Sequence, residues 1–97
     1  MGEPAVERHE TDGVGVFVLT LDGTKVGTLD YHRSAPEVVH VDYVEVAPRL
    51  RGSGMGRVLV QAAADWARET GVRLVPICGY ARSVLTSDPA FADVLGS

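Results

Sequence analysis

The segment that decides the fold is residues 44–57, which read VEVAPRLRGSGMGR. Apolar Val44 and Val46 flank Glu45, and this alternation is typical of a strand with one buried face. Pro48 ends the strand, because proline has no N–H group to donate to a continuing ladder. The glycines that follow permit a tight turn and let backbone amides approach a ligand closely. A helix beginning directly after them would add unpaired N–H groups, so the segment predicts an anion-binding turn between a strand and a helix.

The chain before this turn predicts a series of strands. Residues 14–21 are rich in β-branched and aromatic side chains, which favour a strand. Asp22-Gly23 predicts a tight hairpin turn, and Lys25–His32 alternates apolar with polar residues as its partner strand. Ser34-Ala35-Pro36 is expected to break that strand, and Val38–Val46 forms the next one.

The chain after the turn predicts a helix, a buried strand and a short helical end. Gly71 fits a helix C-cap. Residues 72–78 are mostly apolar and predict a strand parallel to 38–46, because a helix crosses between the two. Residues 79–95 are expected to hold one or two short helices, with Asp88 as an N-cap before Pro89. The helix presents an apolar stripe, predicted to lie in the core, made of Leu59, Ala62, Ala63 and Trp66.

Length and composition predict one soluble domain. The 97 residues (10.3 kDa) are too few for a second core, so residues 1–97 are expected to form a single domain. Its core is expected at about 14–95, with residues 1–12 as a tail or edge strand. Hydrophobic residues make up 45% and charged residues 23%, and no apolar run approaches the length of a membrane span. The absence of a readable secretory signal and the single cysteine favour the cytoplasm.

The charge pattern argues against a nucleic-acid partner. Nine basic and thirteen acidic residues give a net charge of −4, which opposes phosphate-driven binding. The cluster of Arg49, Arg51 and Arg57 around the glycines is a local anion site at most. The histidines show no spacing typical of metal ligands, so no metal is expected.

The spacing of the glycines excludes two common nucleotide loops. A dinucleotide site needs Gly-x-Gly-x-x-Gly, whereas Gly52, Gly54 and Gly56 are evenly spaced and Arg57 follows them. A nucleotide-hydrolase loop needs Gly-Lys-Ser/Thr, which the chain lacks. The Arg-Gly-x-Gly-x-Gly turn instead resembles that of the GNAT superfamily of acyl-CoA N-acyltransferases. Val75-Pro76-Ile77-Cys78, followed by Tyr80 and by Pro89–Leu95, is similar to a minimal single-domain GNAT-like family of Val-Pro-x-Cys type, over about residues 14–95.

The resemblance implies a fold, a cofactor and a reaction. The fold is α/β (α+β): a mixed, mostly antiparallel twisted sheet, with the glycine-loop helix packed on it and a short helical C-terminus. The reaction is N-acetylation of a small or exposed primary amine by direct attack on the thioester of acetyl-CoA, with the oxyanion held by a backbone N–H near Val46. Residues implied in CoA binding are Val44, Val46, Arg51, Gly52, Ser53, Gly54, Met55, Gly56 and Arg57. The structural alternative for the two arginines is that they are solvated surface charges.

Three residues are candidates for catalysis, each with a structural alternative. Glu45 could act as a general base or be an ordinary solvated strand glutamate. Cys78 could be a small packed hydrophobe, or a nucleophile that carries the acetyl group if His40 or Tyr43 activated it. Tyr80 could orient the thioester sulfur or simply pack.

Two rival functions remain open on the sequence alone. Family members usually carry a histidine at position 43, a tyrosine at position 84 and a histidine at position 88, where this chain has Tyr43, Val84 and Asp88. An acyl-CoA-binding module without transferase activity is therefore the main alternative, and a small interaction domain is the next.

Overall fold

The computed structural model describes residues 3–96. Within them, five strands form one sheet in which neighbours in the chain are neighbours in space. Strands β1 to β4 are antiparallel to one another, and β5 is parallel to β4. This mixed, mostly antiparallel sheet confirms the predicted α/β (α+β) class. The strands are β1 (Pro4–Thr11), β2 (Val14–Leu21), β3 (Thr24–Ala35), β4 (Val38–Val46) and β5 (Arg73–Pro76).

Two Asp-Gly turns join the first three strands. Asp12 and Asp22 have φ of 53° and 55°, and the glycines after them have φ of 79° and 78°. Positive φ at both central residues gives a turn whose twist matches that of the flanking strands. The hairpin predicted at Asp22-Gly23 is confirmed. Of the segment predicted as a tail or an edge strand, residues 4–11 form the edge strand, and residues 1 and 2 lie outside the described part.

Strand β3 is longer than the sequence predicted. It continues to Ala35, with an irregular register against β4 between Arg33 and Ala35. The expectation that Ser34-Ala35-Pro36 would break the strand is therefore wrong for its first two residues. Serine and alanine keep an N–H group and can pair, whereas Pro36 cannot, and the turn begins there.

The helices have the caps that the sequence predicted. Helix α1 (Met55–Thr70) ends at Gly71, whose φ is 76° and whose N–H binds the Ala67 carbonyl. Helix α2 (Gly79–Ser87) leads to a 3-10 segment, Pro89–Val94, capped by Asp88 through a 2.9 Å bond from the Ala90 N–H. Within the described residues, no helix is both long and apolar enough to cross a membrane.

The core lies between one face of the sheet and the helices. The face of α1 that packs against the core is rotated relative to the apolar stripe predicted from the sequence. Trp66 is half-buried at the edge, with its ring centroid 5.6 Å from Phe17 and 5.4 Å from Tyr31. The guanidinium groups of Arg8 and Arg33 lie 4.7 and 5.3 Å from its centroid. Of the predicted stripe, Leu59 and Ala63 are buried, whereas Ala62 and Trp66 are only partly buried and pack against the core. The large ring of Trp66 bridges the core and two cations. The buried side chains of α1 are Leu59, Val60, Ala63, Ala64 and Ala67.

The last strand is parallel to β4, as predicted, but shorter than residues 72–78. It ends at Pro76, and Cys78 lies outside it, directly before α2. Pro76 has no N–H for a ladder, and the N–H groups of Ile77 and Cys78 both turn to the Val41 carbonyl. The chain therefore leaves the sheet at this point, and the predicted placement of Cys78 in a strand is wrong.

Candidate functional site

Strands β4 and β5 separate halfway along β4. Residues 38–41 pair with 73–76, and the Val41 carbonyl then accepts N–H bonds from Ile77 at 2.9 Å and Cys78 at 3.0 Å. Beyond Val41, β4 continues to Val46 while the other chain turns into α2. Among the described residues, the gap leaves one edge of residues 42–46 without a neighbouring strand. This open edge is the first part of the candidate site.

A bulge in β4 determines which backbone groups face the open edge. Asp30 pairs with Tyr43 and Tyr31 with Val41, so Asp42 is an extra residue in β4. Farther along, the Ala47 N–H binds the Val26 carbonyl at 2.8 Å and so points toward β3. Because backbone groups alternate in direction along a strand, those of Val46 and Val44 point away from β3, into the gap.

The glycine turn brings the start of α1 to the same place. Gly52 and Gly54 have φ of 82° and 90°, a left-handed conformation in which a side chain would be strained. Gly54 caps α1, and the N–H of Val58 makes a 3.2 Å bond to its carbonyl. The N–H groups of residues 55–57 precede this bond and have no acceptor within the helix. The backbone of residues 52–57 thus has the geometry of the anion-binding turn that the sequence predicts.

The open edge and the glycine turn share one cavity of about 410 Å³. The first turn of α2 adds Tyr80 to the wall, and the 3-10 turn Pro48–Leu50 adds Leu50. Eight of the lining residues are Tyr43, Val44, Glu45, Val46, Arg51, Gly52, Gly54 and Gly56. The cavity thus brings together most of the residues that the sequence analysis singled out for CoA binding, with Glu45 and Tyr80 among the proposed catalytic ones.

Tyr80 lies directly against Gly56. A Cβ atom added at Gly56 would stand 3.0 Å from the Cε2, Cζ and hydroxyl oxygen atoms of the tyrosine. The lack of a side chain at position 56 therefore allows the ring to approach the first turn of α1. Tyr80 keeps 44% of its surface exposed, so its ring is accessible from the cavity.

The cavity carries opposite charges at its two ends. Arg51 stands at the glycine turn and Glu45 on β4. On the sheet next to Glu45, burial and the nearby carboxylates of Asp42 and Glu45 raise the pKa of Asp30, against the opposing effect of Lys25. An anionic ligand group is therefore favoured at the glycine turn, and a cationic one beside Glu45.

Three of the expected CoA-binding residues have side chains away from the cavity wall. Ser53 Oγ donates to the Leu50 carbonyl, and Met55 packs against the core. Arg57 donates from Nη2 to Asp88 Oδ2 at 3.0 Å and lies over the Phe91 ring at 5.7 Å. The Arg57 guanidinium, expected to neutralise phosphate, thus makes an exposed ion pair that ties α1 to the C-terminal segment.

Cys78 also lies outside the cavity lining. It is half-buried and packs against the core at the start of α2. Of its two expected activators, His40 bonds Ser34 Oγ at 2.9 Å and stacks on His32. Tyr43 is 53% exposed and lines the cavity. This arrangement favours the packing alternative for Cys78. Among residues 3–96 there is no cluster of three His, Cys, Asp or Glu side chains suited to a metal ion.

Sequence reasoning missed Tyr43 and Leu50 as wall residues. The sequence marks Tyr43 only as a departure from a family pattern and as a candidate base for activating Cys78. Its place in the wall depends on the bulge at Asp42, which no local pattern indicates. Leu50 could have been found, because an apolar residue next to the glycines has to pack against something or line a ligand site.

Comparison with known families identifies the fold. The family described as GCN5-related N-acetyl-transferase matches residues 16–94. The chain belongs to this family. The resemblance to a small GNAT-like family, which rests on the glycine turn and the Val-Pro-x-Cys segment, is thereby confirmed.

Individual relatives of this GNAT protein agree with that assignment. Streptothricin acetyltransferase of Streptomyces lavendulae is 38% identical over 71 residues, which is 72% of this chain and 38% of the relative. The solution structure of a GCN5-like protein from Staphylococcus aureus superposes with a TM-score of 0.71 at 21% identity, covering 94% of this chain and 88% of that one. The crystal structure of nourseothricin acetyltransferase gives 0.54 at 35% identity, covering 65% and 39%.

The match with streptothricin acetyltransferase covers only part of that protein. It spans 38% of the length of streptothricin acetyltransferase. The glycine turn, the open edge of β4 and the start of α2 all fall within the region matched by the family.

Proposed function

We propose that this protein transfers the acetyl group of acetyl-CoA to a small or exposed primary amine by direct attack of the amine on the thioester. The observation that carries the proposal is the single cavity in which the open backbone edge of β4 meets the start of α1. Acetyl-CoA, when bound, supplies the activated acetyl group. The residues present suit such a molecule, because the cavity offers unpaired strand groups for its amides and a helix start for its phosphates.

Binding of CoA is divided between strand and helix. The outward-facing N–H and C=O groups of Val44 and the C=O group of Val46 can pair with amides of the ligand as an added strand would, which leaves the Val46 N–H for the reacting carbonyl. The pyrophosphate is bound by the glycine turn, residues 52–56, by the N–H groups that begin α1, and by the side chain of Arg51. Arg57 contributes its backbone N–H, since its guanidinium is engaged with Asp88.

The catalytic steps use groups in the cavity wall. Glu45 takes the proton from the incoming ammonium, and the Val46 N–H stabilises the negative charge that develops on the carbonyl oxygen. The amine nitrogen gains the bond to the acetyl carbon that sulfur gives up, and Tyr80 donates its hydroxyl proton to the departing sulfur. The second proton that nitrogen loses on becoming an amide restores the Tyr80 hydroxyl, and Glu45 releases its proton to solvent. Cys78 takes no part, because its side chain lies outside the cavity.

The test is turnover with a panel of amines. The purified protein is mixed with acetyl-CoA and each amine, release of the thiol is followed, and the acetylated product is identified by mass spectrometry. Amine-dependent thiol release is the expected result. Binding of acetyl-CoA without release under any condition would favour the module without transferase activity, and no binding would refute both.

A backbone variant tests the role of Val46 specifically. Val46→Pro removes an N–H that faces the gap and has no ladder bond to lose, so a proline is tolerated there as at a sheet edge. We expect kcat to fall about 100-fold while the Kd for acetyl-CoA changes less than about threefold. Val44→Pro is the matched control, because it removes an N–H from the same edge one position farther from the proposed oxyanion site. Equal losses of kcat in both variants would contradict the assignment.

A further inference from the structure

We propose that His32 is a positioning residue for this site, and that it acts by holding the bulge at Asp42. His32 lies on β3, and Asp42 is the extra residue of β4. His32 Nδ1 donates to Asp42 Oδ2 at 2.8 Å. The proposal rests on the proposed function, since it concerns how the edge of β4 is presented to CoA.

The bulge is what gives the open edge its orientation. At Val41 the backbone carbonyl faces β5, as its bonds from Ile77 and Cys78 show. Without an extra residue, strict alternation would direct the groups of Tyr43 and Glu45 into the gap. With Asp42 inserted, the groups of Val44 and Val46 take that direction instead. A shift of one residue in a strand also exchanges the buried and exposed side chains, so the bulge fixes both features together.

The side chain of His32 is itself held in place. Its ring stacks on that of His40, with the centroids 4.8 Å apart and the planes at 11°. His40 in turn bonds Ser34 through Nε2 at 2.9 Å. The two histidines are directly opposite in the register of β3 and β4. The imidazole therefore reaches Asp42 from a fixed position on the neighbouring strand.

The bulge carries an electrostatic cost that this contact offsets. It places Asp42 beside Asp30, and the pKa of Asp30 is raised by burial, by Asp42 and by Glu45. Such crowding of carboxylates on one face opposes the bulge. A hydrogen bond from an imidazole to a carboxylate is among the stronger ones in proteins, and here it is made at the extra residue itself.

The experiment compares three variants of the whole chain. His32→Ala removes the donor, and His32→Asn restores one, because the Asn amide nitrogen occupies about the same place along the side chain as Nδ1. His40→Ala is the control, since it removes the stacked neighbour and leaves the bond to Asp42. For each variant the Kd for CoA is measured by calorimetry. The amide resonances and hydrogen exchange of Tyr43 and Val44 are measured in the ligand-free protein.

We expect His32→Ala to raise the Kd for CoA about fivefold, the largest factor expected from a half-exposed hydrogen bond to a charged group. The same variant should shift the Tyr43 and Val44 amides and speed the exchange of the Tyr43 N–H, which faces β3. His32→Asn should restore both properties to within about twofold of the wild type. His40→Ala, which removes the stacked ring but leaves the bond to Asp42, should change both properties less than His32→Ala does. An unaltered Kd in His32→Ala, failure of rescue by Asn, or an equal loss in His40→Ala would overturn the proposal. If the wild-type protein did not bind CoA, the proposed function would fail, whereas the amide measurements would still test the role of His32 at the bulge.

Discussion

The contact between Gly56 and Tyr80 predicts that Gly56→Ala will leave the fold intact and impair catalysis. The added methyl carbon would lie 3.0 Å from three atoms of the tyrosine side chain, whereas carbon atoms pack best at about 3.5–4.0 Å. The half-exposed ring therefore has to retreat by about 0.5–1 Å. Alanine gains up to about 1 kcal/mol over glycine in a helix, and this offsets strain of about the same size. The melting temperature should change by less than about 8 °C.

The effect on the rate should be larger than the effect on stability. A displacement of about 1 Å in a reacting group can cost about 100-fold in rate. Since Tyr80 is the proposed proton donor to sulfur, we expect kcat to fall between about 10- and 100-fold. The Kd for acetyl-CoA should change less than about threefold, because the backbone groups that hold it are unaltered.

The assay is a double-mutant cycle with Tyr80→Phe, which removes the hydroxyl and leaves the ring. If Gly56→Ala acts by moving that hydroxyl, the double variant should be no slower than Tyr80→Phe alone. Gly79→Ala is the matched control, because a Cβ there meets no atom within 4 Å although it is adjacent to Tyr80. Additive losses in the double variant, or a wild-type kcat in Gly56→Ala, would refute the reasoning.

Three further predictions concern single side chains. Glu45→Gln should lower kcat by about 100-fold with the KM for acetyl-CoA nearly unchanged in steady-state assays, and an unaltered rate would exclude Glu45 as the base. Cys78→Ala should keep kcat within about twofold of the wild type, whereas loss of activity together with an acetylated cysteine in the wild-type mass spectrum would show a covalent route. Hydrogen bonds from Arg33 and Tyr31 lower the pKa of Glu10 from its ordinary value of 4.5. The stability that Glu10 contributes is thus present above pH 4.5 and is lost as the pH falls through the lowered pKa. Chemical denaturation between about pH 7 and pH 3 should therefore show a smaller loss of unfolding free energy on acidification in Glu10→Gln than in the wild type, and parallel curves would contradict this.

Features set by local residue preferences could be predicted from the sequence. The bounds of β2 and β4 coincide with the predicted runs at 14–21 and 38–46, because turn residues and a proline flank them. The Asp22-Gly23 turn and the Gly71 cap depend on backbone conformations that few residues adopt. The glycine turn also depends on backbone conformations that few residues adopt. For this reason most residues of the cavity wall could be predicted from the sequence.

Features that depend on distant partners could not be predicted. The bulge at Asp42 is defined only by the residues of β3 that face it, and it determines that Tyr43 lines the cavity. The ion pair between Arg57 and Asp88 joins residues 31 positions apart and removes a guanidinium that the sequence favoured for phosphate. Trp66 likewise fits an apolar stripe, but arginines from two strands cover its ring. In each case the tertiary partner, which a local pattern does not contain, decides the outcome.

Mapping of acetyl-CoA binding by nuclear magnetic resonance tests the central proposal most directly. A chain of 97 residues gives a resolved amide spectrum, so each backbone N–H can be followed during titration with acetyl-CoA, with NAD as the control ligand. Acetyl-CoA should shift the amides of Val44 and Val46 on the open edge and those of residues 52–57 at the start of α1, whereas NAD should leave them unchanged. No shifts with acetyl-CoA, or shifts centred on another part of the sheet, would contradict a CoA site between β4 and the glycine turn.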